Sequence, residues 1–167
     1  MKKTYENHTS EYIVLALLQL MKKKSFSGIS ITELCEKAGV SRMSFYRYYE
    51  SKQDVLKQEC ARITDEFVAK SGISYRNNPL KDYFIILFTH LYNNRDLALL
   101  LERADQLDIV KDDFQRVFLS TYKGVYEEYK SYYISGGLYD VYCHWLRNGF
   151  QESPEELAAK LRDILEK

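Results

Sequence analysis

A chain of 167 residues suffices for one ordinary domain, or for a small module joined to a larger one. Its 46% hydrophobic content supplies a core and excludes disorder as the default, while the formal charge balances to zero. The longest apolar run, residues 83–89, falls far short of the roughly 20 residues a membrane span needs. The start MKKTYENH is basic but lacks the apolar core of a signal peptide, so a soluble cytoplasmic protein without membrane contact is expected. The zero balance hides an asymmetry. Residues 1–58 carry ten Lys/Arg against six Asp/Glu (+4), and residues 59–167 carry fourteen against eighteen (−4). A basic front and an acidic back suit a small nucleic-acid-binding head on a body with another task.

Every long segment reads as helix. Ile13, Leu17, Leu20 and Met21 recur at helical spacing, with Thr9 or Ser10 available as the cap. Ser30-Ile-Thr-Glu33 has the form of a capping box and opens a short helix that stops at Gly39. Ser41 caps the next helix, which runs to about Tyr49. Glu50-Ser-Lys-Gln-Asp54 opens a longer one striped by Leu56, Cys60, Ile63 and Phe67. Turn formers crowd residues 71–79 (SGISYRNNP), the clearest break in the chain. Beyond it, Tyr83, Phe84, Leu87, Phe88 and Leu91 predict a buried helix. Asn93-Asn94 is a joint, and Leu97 to Leu101 begin a short helix. Val110, Phe114, Val117, Phe118, Thr121, Tyr122, Val125 and Tyr129 predict an amphipathic helix of about five turns. Gly136-Gly137 is expected to interrupt the chain before Leu138, Val141, Tyr142 and Trp145 continue to Gly149. Ser153-Pro-Glu-Glu156 is a strong helix start, followed by Leu157, Leu161, Ile164 and Leu165 on one face. The sum is an all-α fold of about nine helices with no convincing strand.

Few residues suggest chemistry. Cys35, Cys60 and Cys143 stand far apart within apolar patterns and read as small buried hydrophobes. His8, His90 and His144 are scattered, so no metal and no cofactor is implied. There is no glycine-rich phosphate loop, no H-E-x-x-H and no glycine-flanked nucleophilic serine. Glu102, Asp105 and Asp112-Asp113 read as solvated helix faces rather than catalysts. The chain is not expected to be an enzyme.

Two short helices joined through Gly39, beneath a longer first helix, have the proportions of a helix-turn-helix. Val40, Phe45 and Tyr49 are spaced to face inward. Arg42, Met43, Ser44, Tyr46 and Arg47 then lie on outward or flanking positions, where arginines and a methionine serve no packing purpose. That set suits the major groove, where Arg bonds guanine edges and apolar groups touch the thymine methyl. Thr32 and Ser41, at the two helix starts, join it as contact candidates. Tyr46, Tyr48 and Lys52 are placed to hold phosphates, Lys52 from the first turn of its helix. A solvated helical hairpin in an all-α enzyme or adaptor is the competing reading.

The run ISITELCEKAGVSRMSFYRYYESKQDVL, residues 29–56, closely resembles the DNA-binding signature of the TetR (tetracycline-repressor-like) family. The matching elements are Ala38-Gly39-Val40-Ser41, Phe45-Tyr46, Tyr48-Tyr49 and Lys52, with Tyr48 standing where the family often has histidine. Including the first helix, the resemblance covers residues 8–58. The remainder resembles a C-terminal domain type of TetR-like regulators in Firmicutes, through Tyr132-Tyr133, Gly136-Gly137, His144-Trp145-Leu146, Gly149 and residues 152–158. The resemblance implies a DNA-binding head, residues 1–50, and a helical effector-binding and dimerisation domain, residues 51–167.

One helix-turn-helix contacts few base pairs, so a homodimer on a near-palindromic stretch of double-stranded DNA is expected. The resemblance places the dimer contact on the last two helices, about 133–149 and 154–166. Gly136-Gly137 would allow close approach there, and Leu157, Leu161 and Leu165 would supply an apolar stripe. Closure of the chain's own core is the alternative use of that stripe. The resemblance also implies a small-molecule effector among the central helices, with Tyr83, Phe84, Phe88, Tyr122, Tyr126 and Trp145 as candidate lining. For each ring, ordinary core packing competes. The reading is a transcriptional regulator, a repressor under effector control, against an effector-independent adaptor or activator of the same fold.

Overall fold

The computed structural model describes residues 2–73, 78–121 and 125–165; side chains at 2–7, 80, 121, 125–127 and 165 lie outside that description. Among the described residues every regular element is a helix. In chain order they are α1 (Lys2–Met21), α2 (Ile31–Ala38), α3 (Arg42–Tyr48), α4 (Lys52–Ser71) and α5 (Leu80–Asn93). There follow α6 (Arg95–Arg103), α7 (Asp108–Thr121), α8 (Val125–Arg147) and α9 (Pro154–Leu165). None is long and apolar enough to cross a membrane. The chain forms two compact units, Met1–Arg62 with Leu100–Ile109, and Ile63–Leu99 with Val110–Lys167.

In the first unit α1, α2 and α3 pack on one another around Ile13, Leu17, Leu34, Phe45, Val55 and Leu56, all essentially inaccessible to solvent. α1 begins well before the expected cap. Thr9 and Ser10 lie inside it, because residues 2–8 include neither proline nor glycine to stop the helix growing backwards. Cys35 and Cys60 are buried in this unit, and burial raises the Cys35 thiol above its usual range. The Tyr49 hydroxyl is pushed up to about 12, first by burial and then by Glu59 and Asp54.

The second unit is built on aromatic rings. Phe84 and Phe88 of α5 and Trp145 of α8 are fully buried, with Phe88 meeting Trp145 edge-on at 5.7 Å. α9 packs along α5, and its Leu157, Ala158 and Leu161 are buried. α9 starts with a complete capping box. Ser153 N donates to Glu156 Oε2 at 2.8 Å, and Glu156 N donates to Ser153 Oγ at 3.2 Å.

Two expectations are corrected here. Gly136-Gly137 does not interrupt the chain, because α8 runs unbroken from Val125 to Arg147. Each glycine costs a helix about 1 kcal/mol relative to alanine, a sum that burial on one face of the helix overrides. Ser131, Ser135, Leu138, Tyr142, Trp145 and Leu146 make up that buried face. Residues 122–124 lie outside the description.

Asp113 also departs from its expected place on a solvated face. It is buried, and its Oδ1 accepts from Arg116 Nε at 2.9 Å and Nη2 at 2.6 Å. The third arm of Arg116, Nη1, donates to Asp65 of α4 at 2.8 Å. Replacing Arg116 with methionine strands the Asp113 carboxylate out of water and should cost about 1–3 kcal/mol of stability. Asp65→Asn, at an exposed position, should cost less than about 1 kcal/mol. Urea denaturation of the two variants measures the difference, and equal losses would contradict this division of the triad.

Candidate nucleic-acid interface

The turn between α2 and α3 is made by the backbone of Gly39. It sits at φ 68°, the left-handed region that closes a helix, and the Val40 N–H reaches back to Cys35 O at 3.0 Å. Two serines then start the two helices. Ser30 Oγ accepts from Glu33 N at 3.1 Å and Ser41 Oγ from Ser44 N at 3.0 Å. At the first of these caps the Glu33 carboxylate turns to Lys24 Nζ, 2.6 Å away, which lowers its pKa below the usual carboxylate value.

α3 has seven residues, too few to persist alone, and is held by what it buries. Phe45 is fully buried and Tyr49, just past the helix, nearly so, their ring centroids 5.9 Å apart. Val40 is half-buried. With that face inward, Arg42, Met43, Tyr46 and Arg47 are exposed, Met43 at 85%. Ser44 is half-buried and its hydroxyl lies 3.0 Å from that of Ser41. Tyr48 is half-buried, with the Arg47 guanidinium 5.1 Å from its ring centre. Thr32 is exposed on the first turn of α2. Eight of the nine contact candidates thus gather on the α2–α3 pair and its turn.

Lys52 is differently placed. Its ammonium turns to main-chain oxygens of the loop between α1 and α2, donating to Phe26 O, Ser27 O and Ile29 O. Its pKa is lowered from the ordinary lysine value, first by burial and then by the charge of Lys24. Nothing in the sequence around Lys52 announces these partners, which are 23 to 26 residues away.

Of the rings named for an effector, Phe84, Phe88 and Trp145 come together, and Tyr83 meets Phe84 at 5.7 Å. Tyr122 lies outside the described residues, as does the side chain of Tyr126. Two members of the cluster were not among the named candidates. Phe150 stands 4.9 Å from Trp145 and 5.7 Å from Tyr92. Phe150 has φ 56°, and such a conformation costs a side-chain-bearing residue roughly 1–2 kcal/mol. Its edge-on contacts with two rings offset that strain. No local signal predicts a phenylalanine in that conformation.

Residues 78–167 match the model described as the transcriptional regulator C-terminal region, and residues 13–58 that of the bacterial regulatory proteins of the tetR family. The chain belongs to the TetR family. The family is one of bacterial regulatory proteins, and the residues matched by its amino-terminal model, 13–58, include the α2–α3 pair. It is 24% identical to the HTH-type transcriptional regulator YxbF of Bacillus subtilis (strain 168), over 95% of this chain and 44% of that protein. The chain thus spans less than half the length of this relative. Among solved structures, Lin0861 from Listeria innocua shares the fold with a TM-score of 0.75 and 17% identity, over 99% of this chain and 92% of that one. A TetR transcriptional regulator from Streptococcus agalactiae 2603V does so with a TM-score of 0.66 and 20% identity, over 95% and 94%. At these identities the two structures speak for the fold alone.

Proposed function

We propose that this TetR-family chain is a repressor that binds a near-palindromic operator as a homodimer and is controlled by a small molecule. The observation that carries the DNA reading is the divided surface of α3, with Phe45 and Tyr49 inward and Arg42, Met43, Tyr46 and Arg47 outward. On this reading Arg42 and Arg47 bond base edges, Met43 touches a thymine methyl, and Thr32, Ser41, Ser44, Tyr46 and Tyr48 hold the backbone. Arg42→Ala should relax preference at particular base pairs and cost roughly 1–3 kcal/mol at the best site. Met43→Ala should change preference at a thymine while leaving stability within about 0.5 kcal/mol, as its exposure dictates. Selection from random duplexes checks both; an unchanged base profile in Arg42→Ala would remove it from the readers.

The dimer reading moves away from Leu157 and Leu161, which are buried within the chain. Support comes instead from side chains that α8 and α9 leave in solvent: Tyr129, Tyr132, Tyr133 at 79% exposure, and Ile164 at 68%. Gly136 and Gly137 add room, since a Cβ on either would meet no atom within 4 Å. Tyr133→Glu should yield a folded monomer near the chain mass of 19.8 kDa, whereas Leu161→Glu should lower the melting temperature. Light scattering and thermal melting separate the two, and a Tyr133→Glu dimer of undiminished mass would move the interface elsewhere.

Control by an effector is supported by the density of rings around Trp145, the chain's single tryptophan. On this reading an apolar ligand enters among Tyr83, Phe84, Phe88, Tyr122, Tyr126 and Trp145, and it shifts DNA affinity only by its differential affinity for the two arrangements. Such a ligand should change Trp145 fluorescence and operator affinity over the same concentration range. Operator release with no change in the Trp145 signal would place the effector elsewhere.

A further inference from the structure

We propose that Lys52 is a positioning residue, whose ammonium fixes the loop between α1 and α2 and thereby sets how α2 is presented to DNA. The proposal rests on DNA binding by the α2–α3 pair and assigns Lys52 a task other than phosphate neutralisation. An ammonium has three N–H donors and no acceptor. Here the Lys52 ammonium has three acceptors, at 2.5 Å (Phe26 O), 2.7 Å (Ile29 O) and 3.3 Å (Ser27 O). The Phe26 ring lies on the same cation, its centre 4.6 Å from Nζ.

The loop is shaped to make this possible. Gly28 N bonds Ser25 O at 3.1 Å and Ile29 N bonds Phe26 O at 3.2 Å, two overlapping turns that bring successive carbonyls around one point. A Cβ at Gly28 would stand 3.1 Å from Ser25 Oγ and 3.5 Å from Ser25 O, which shows how closely the loop folds on itself. Ile29, buried, and Ser30, the α2 cap, follow at once. Lys24 straps the other side of the loop to Glu33 of α2 at 2.6 Å. Two lysines therefore hold one loop, Lys24 by an ion pair and Lys52 by its carbonyls. Carbonyl oxygens left without the Lys52 donors would turn toward water, and the start of α2 with Thr32 would loosen with them. A phosphate reaching for the same ammonium would have to displace those oxygens.

The test uses the full-length chain with Lys52→Met and Lys52→Arg. Three convergent carbonyls suit a compact ammonium and not a planar guanidinium, whereas a phosphate accepts either. In the DNA-free protein, hydrogen exchange at amides 26–33 should quicken in both variants; unchanged protection overturns the proposal. Binding to the selected duplex should weaken on the order of ten-fold in both, as loss of a charge-assisted network implies. The slope of log affinity against log salt should stay at the unaltered chain's value. A slope smaller by about 0.9, with Lys52→Arg binding as tightly as the unaltered chain, identifies a phosphate contact and overturns the proposal. Should the unaltered chain select no duplex, the DNA reading fails while the exchange result still decides the loop. If neither variant folds, the nitrogen-15 signal of the Lys52 ammonium in the unaltered chain decides. A slowly exchanging signal indifferent to added duplex upholds the positioning role, and one that exchanges fast or shifts with duplex overturns it.

Discussion

The burial of Phe45 is the contact on which the exposed face of α3 depends. A seven-residue helix makes too few of its own hydrogen bonds to offset the cost of nucleating it, so α3 persists only while its inward face is packed. Phe45 and Tyr49 provide that face, and their burial decides the direction of everything else on the helix. Arg42, Met43, Tyr46 and Arg47 are left in solvent as a geometric consequence, because side chains on a helix cannot all turn the same way. The exposed face of α3 is thus the reverse side of a packing decision.

Short-range hydrogen bonds then adjust the frame. Ser41 caps α3, Ser30 caps α2 and Gly39 closes the helix between them, each acting over no more than five residues. Such bonds typically contribute about 1 kcal/mol apiece, too little to create the fold but enough to set where each helix begins. Asp54 does the same at the next corner, its Oδ2 accepting from Glu50 N and Gln58 Nε2.

The other unit obeys a different constraint. Phe88 and Phe150 meet Trp145 edge to face, and Trp145 is held further by its Nε1–H donating to Glu152 O at 3.0 Å. A left-handed Phe150 is tolerated because it completes this cluster. Near α4 the polar counterpart is Arg116, which uses all three nitrogens on two aspartates and so keeps the buried Asp113 charge partnered. His90, stacked on Phe67 at 4.0 Å, is pushed by burial toward its neutral form, which suits a ring packed against an apolar neighbour.

What the sequence determined by itself was a set of features governed by neighbours a few residues apart. Serine caps at Ser30, Ser41 and Ser153, the glycine stop at Gly39, and the inward spacing of Phe45 and Tyr49 are local interactions, so their residues announce them. The α2–α3 pair and most of its outward residues were legible for that reason, as was the all-helical class. What only the tertiary structure decided depends on partners far along the chain. The Lys52 ammonium meets carbonyls 23 to 26 residues back, Arg116 meets Asp65 across 51 residues, and Leu157 and Leu161 are buried within the chain's own fold. The continuity of α8 through Gly136-Gly137 belongs here too. Helix propensity counts against two adjacent glycines, and only the burial of Leu138, Tyr142 and Trp145, which no local pattern can measure, outweighs it.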